Sequence, residues 1–102
     1  MNAPERLNAL SDEMLAALHA QIDSLKDDNN IKAVILSGNG KAFCAGGDIK
    51  EMSDPESVFR KNPLAAADSY ITGIQRIPLA LYNLDIPTIA AVNGPAVGAG
   101  CD

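Results

Sequence analysis

Phe43-Cys44-Ala45-Gly46-Gly47-Asp48-Ile49-Lys50 and, further along, Asn93-Gly94-Pro95-Ala96-Val97-Gly98-Ala99-Gly100-Cys101-Asp102 decide the reading of this 102-residue chain. Each follows a short apolar run bounded by turn residues, Ile31–Leu36 (IKAVIL) before the first and Ile86–Val92 (IPTIAAV) before the second. That is the pattern of a buried strand. Glycine lets a backbone approach a ligand closely, and successive N–H groups in such loops point toward an anion. The two segments are therefore either tight turns between strands and helices, or a pair of backbone donors converging on one oxygen.

Working outward, Ser11 reads as an N-cap, with Asp12 and Glu13 in the first helical turn. Met14, Leu15, Leu18, Ile22 and Leu25 follow at helical spacing, with His19 at the edge of that stripe. Residues 1–10 read as irregular or as the tail of a strand. A polar turn at 26–30 ends the helix, and Ser37-Gly38-Asn39-Gly40 is a loop. Residues 51–63, with Pro55 and Pro63, read as a mobile loop or a broken helix. Leu64–Leu84 is helical, with Ile71, Ile74, Ile77 and Leu81 on one side and Pro78 expected to kink or end it. A helix start is expected at Gly98–Gly100. Helix and strand alternate, so the fold class is α/β with mostly parallel strands.

Composition excludes several functions. The chain is 47% hydrophobic and 21% charged, ordinary for a globular domain. A net charge of −5 with only eight Lys and Arg offers no basic footprint for nucleic acid. No apolar run approaches the roughly 18 residues of a membrane span. The first ten residues lack the apolar centre of a signal peptide, so a cytoplasmic protein is expected. Cys44 and Cys101 match no zinc or redox spacing and read as a reduced pair, and one histidine, His19, cannot build a His-rich metal site. Gly38-Asn39-Gly40-Lys41-Ala42 invites a phosphate-loop reading and fails it. Ile35 stands where the first Gly is needed, Ala42 replaces Ser or Thr, and Phe43 occupies the third Gly of a dinucleotide fingerprint.

Three blocks carry a resemblance: Pro4-Glu5-Arg6-Leu7-Asn8-Ala9-Leu10, Ala42 to Met52, and Ile86 to Gly94. In order and spacing the chain resembles the enoyl-CoA hydratase/isomerase (crotonase) superfamily over nearly its whole length. The resemblance implies a spiral of ββα units, of which 1–102 is the N-terminal part, stopping inside the second Gly-rich motif. It implies acyl-CoA thioesters as substrates, no cofactor beyond the coenzyme A of the substrate, no metal, and assembly as a homotrimer or hexamer. It implies oxyanion donors at Gly47 and Ala99, and an acid–base carboxylate at Asp102, where hydratases of the family carry glutamate. Arg6, Ala9, Ala45, Asp48, Ile49 and Lys50 would line the coenzyme A side. An enolate of a thioester places negative charge on the carbonyl oxygen, which two preorganised N–H groups stabilise. The alternative is a catalytically incomplete module that binds coenzyme A or packs with other subunits.

Overall fold

A computed structural model describes residues 1–26 and 28–102. Strands β1 (Val34–Ser37) and β2 (Thr88–Ala91) pair in parallel, from Val34 opposite Thr88 to Ser37 opposite Ala91. The ladder is shorter than the apolar runs. Its first bond runs from the Val34 N–H to the Pro87 carbonyl at 2.9 Å, and Pro87 has no N–H with which to extend the pairing.

Helix α1 (Asp12–Leu25) begins as expected, with the Ser11 hydroxyl accepting the Met14 N–H at 3.2 Å. Its apolar stripe turns inward: Ile22 is buried and Met14, Leu15 and Leu18 are half-buried. Met14, Leu15 and Leu18 pack on a core of Leu10, Phe43 and Cys44. Of the polar turn expected at 26–30, Asp27 lies outside the described residues.

The 51–63 segment takes the broken-helix form. Helices α2 (Ile49–Ser53) and α3 (Val58–Lys61) are capped by the side chains of Asp48 and Ser57. Asn62 caps α4 (Pro63–Thr72) in the same way.

The expected 64–84 helix requires a correction. It divides into α4 and α5 (Arg76–Tyr82), and the break falls at Gly73, not at Pro78. Pro78 is the third residue of α5, where its missing N–H has no intrahelical partner to lose. The break also takes Ile71 out of phase with Ile77. Ile71 is 58% exposed whereas Ile77 is buried.

Residues 1–10 combine both expectations. A 3-10 turn spans Pro4–Arg6, Leu7 and Asn8 follow with φ of 53° and 55°, and Leu10 bridges Gly47 in parallel.

Candidate active site

The first Gly-rich loop is paired along both edges. On one side the Ala45 N–H donates to Leu7 at 3.1 Å and the Leu10 N–H donates to Gly46 at 2.7 Å. On the other, the Phe43 and Cys44 N–H groups reach the Pro95 carbonyl at 3.0 and 3.2 Å, and the Val97 N–H donates to Cys44 at 2.9 Å. The two Gly-rich segments therefore run side by side.

Glycine makes this approach sterically feasible. Gly46 has φ of +83°, and a β-carbon there would lie 2.6 Å from the Val97 oxygen and 3.3 Å from the Ala99 nitrogen. A β-carbon at Gly100 would lie 2.5 Å from the Cys44 oxygen. Both distances to oxygen are well inside van der Waals contact, so neither position accommodates a larger residue without displacing the neighbouring loop.

Among the described residues, the Gly47 N–H makes no backbone hydrogen bond. Ala99 stands in the 3-10 turn Gly98–Gly100, where an opening N–H has no intrahelical partner. The helix expected to begin at Gly98 is, within the described residues, this single turn.

Asp48 is buried at 5% exposure directly after Gly47. Its Oδ1 caps α2 by accepting the Lys50 and Glu51 N–H groups at 2.9 and 3.3 Å, and its Oδ2 pairs with the Arg6 guanidinium. Arg6 also donates to Glu51 Oε1 at 3.2 Å, and Glu51 Oε2 accepts the Asp12 N–H at 3.0 Å. The hydrogen bond with Glu51, helped by the charge of Asp48, holds the Arg6 guanidinium above its ordinary pKa.

Asn8 has a role that its place in the Pro4–Leu10 block does not announce. It is fully buried, and its Nδ2 donates to the Asn39 and Ala42 carbonyls, both at 2.9 Å, while Oδ1 accepts the Ala3 N–H at 2.9 Å. One side chain thus joins the N-terminal turn to the loop that leads into Phe43. Its sequence signal is that of an Asn able to adopt positive φ beside a turn.

The remaining residues of the expected set are scattered in exposure. Ala9 is buried, Ala45 is half-buried, Ile49 is 78% exposed, and Lys50 and Asp102 are exposed. Gly47 and Asp48 line a cavity of about 550 Å³ whose wall includes Met52, Phe59 and Tyr70. Ala99 and Asp102 line a second cavity of about 440 Å³, and Leu10 and Ile74 line both. The Cys44 and Cys101 thiols are free, and burial pushes the Cys44 thiol up. His19 lies in the middle of α1 and is half-buried, with a buried Nε2 that has no hydrogen-bond partner among the described residues.

The family model for enoyl-CoA hydratase/isomerase matches residues 1–102. The chain belongs to this enoyl-CoA hydratase/isomerase family. It is 36% identical over 102 residues to a mitochondrial enoyl-CoA hydratase of Pongo abelii, covering 100% of this chain and 32% of that protein. An enoyl-CoA hydratase structure from Mycobacterium smegmatis superposes with a TM-score of 0.84 at 38% identity, over 97% of this chain and 36% of that one. A monofunctional enoyl-CoA isomerase from the same organism gives 0.67 at 30% identity, over 95% of this chain and 35% of that one. The crotonase-like fold expected from the sequence is therefore present in partial form. The chain spans 32–38% of the length of curated relatives it matches.

Proposed function

We propose that the protein carrying this chain converts acyl-CoA thioesters through an enolate, with the Gly47 and Ala99 N–H groups donating to the thioester oxygen. The observation that carries this reading is the side-by-side run of the two Gly-rich segments. Gly46 lies against the Val97–Ala99 backbone, and the Gly47 N–H has no backbone acceptor among the described residues. Each donor of this kind is worth roughly 10²–10³ in rate.

Asp102, on the same cavity as Ala99, is the proposed acid–base group. Of the residues assigned to the coenzyme A side, Ile49 and Lys50 are the ones open to solvent, and the Lys50 ammonium suits a contact to the coenzyme's anionic end. We place the reaction in acyl-CoA catabolism, in the cytoplasm, in a trimer or hexamer, with no cofactor beyond the coenzyme A of the substrate.

The test is turnover of crotonyl-CoA and of a 3-enoyl-CoA by the full-length gene product, wild type against Asp102→Ala. Hydration or isomerisation that falls at least tenfold in the variant supports the acid–base role. Unchanged turnover in the variant removes it, and no turnover by the wild type removes the enolate reading.

A second reading, a catalytically silent module that binds coenzyme A or packs with other subunits, draws on the bare strands. Every residue of β2 is exposed, and Ile35 of β1 is 68% exposed. Calorimetry with acetyl-CoA on the same gene product separates the two forms of this reading. Heat of binding without turnover marks a binder, and no heat marks a packing element.

A further inference from the structure

We propose that Arg6, Asp48 and Glu51 form a clamp that fixes the Gly47 N–H, with Arg6 and Glu51 as positioning residues and not as contacts to coenzyme A. This rests on the reading of Gly47 as an oxyanion donor. Three pieces of chain meet at the clamp: the 3-10 turn that ends at Arg6, the N-terminus of α1, and the N-terminus of α2. One guanidinium nitrogen, Nη2, serves both carboxylates.

The four carboxylate oxygens are divided without overlap. Asp48 Oδ2 and Glu51 Oε1 face Arg6. Asp48 Oδ1 accepts the first-turn amides of α2, and Glu51 Oε2 accepts the Asp12 amide of α1. Asp48 is the residue next to Gly47, and a buried carboxylate stripped of its cation must shift or find water. Upstream, the Gly46 carbonyl is held by the Leu10 N–H at 2.7 Å. The peptide bearing the Gly47 N–H is thus held on its upstream side by Leu10 and on its downstream side by Arg6. A donor displaced by about 1 Å costs on the order of 10²-fold in rate.

The test measures crotonyl-CoA kinetics of the full-length gene product, together with amide exchange at Asp12 and Lys50. Arg6→Gln is expected to lower kcat by roughly tenfold to a hundredfold with KM unchanged, and to speed exchange at both amides. Arg6→Lys should recover part of kcat, since a lysine keeps the charge without the planar fork. A rise in KM at unchanged kcat would make Arg6 a coenzyme A contact and overturn the proposal, as would unchanged kcat with unchanged exchange. If Arg6→Gln does not fold, Glu51→Gln decides by the same kcat and KM readout, because the amide still accepts the Asp12 N–H while losing the charge that pairs with Arg6. If the wild type does not turn over crotonyl-CoA, the functional reading fails, and the exchange rates alone still decide whether the clamp exists.

Discussion

The two Gly-rich segments pair with each other but are held in different ways. The first is enclosed. Phe43, Cys44, Gly46 and Asp48 are buried, and the loop is gripped by residues 7–10 on one edge, by 95–97 on the other, and by the Asp48 cap at its end. The second is open. Asn93, Pro95, Val97 and Gly98 are exposed, and its backbone is anchored through the first loop and through the Asn93 side chain, which accepts the Gly38 N–H at 3.0 Å. The comparison teaches that the backbone bonds holding the second loop run to the first loop, whereas the first loop is held by residues 7–10 as well. Perturbing the first loop should therefore move both donors.

Gly46→Ala is the severest break. Its β-carbon meets the Val97 oxygen at 2.6 Å, at a φ of +83° that alanine adopts only with strain. If the donors act as proposed, turnover of crotonyl-CoA should fall by about 10²–10³, as for loss of an oxyanion donor, and the variant should melt at lower temperature. Val97→Ala, a truncation of a 56% exposed side chain in the second loop, should change stability by no more than about 0.5 kcal/mol. Comparable losses from both variants would erase the asymmetry.

Asn8→Ala comes next. It takes one donor from the Asn39 and Ala42 carbonyls, leaving Ala42 the longer bond from Asn93 Nδ2 at 3.4 Å, and takes the acceptor from the Ala3 N–H, so it should cost about 1–3 kcal/mol in a denaturant titration. A loss below about 0.5 kcal/mol would show that the first loop does not depend on this buried amide.

The smallest effect is read on the two cysteines. Burial raises the folded pKa of Cys44, so its neutral thiol contributes stability below the ordinary thiol range, and that contribution is lost as pH rises through the raised folded value. Alkylation followed by mass spectrometry should label exposed Cys101 first, and Cys44 only toward alkaline pH. Equal labelling near neutrality would show that the first loop is open.

Much of this was legible in the sequence where the determinants are local. The Ser11 cap, the apolar stripe of α1, the parallel strands, and a Gly-rich loop after each strand all follow from short-range spacing. The break between α4 and α5 falls at Gly73, whereas residue type alone points to Pro78. Its effect depends on its turn, and in the first turn of α5 it disturbs nothing. The roles of Asn8 and of the Arg6–Glu51 pair were not legible. They are contacts across 34 and 45 positions, for which periodicity carries no signal.

The central claim is that two backbone N–H groups, one from each loop, meet one thioester oxygen. It is tested most directly by following the Gly47 and Ala99 amide resonances of the full-length gene product as acetoacetyl-CoA is added. Both amide protons should move downfield together, with the same saturation curve, as each takes up the charged oxygen. Resonances that stay in place, or a shift of one without the other while the ligand binds, would contradict it.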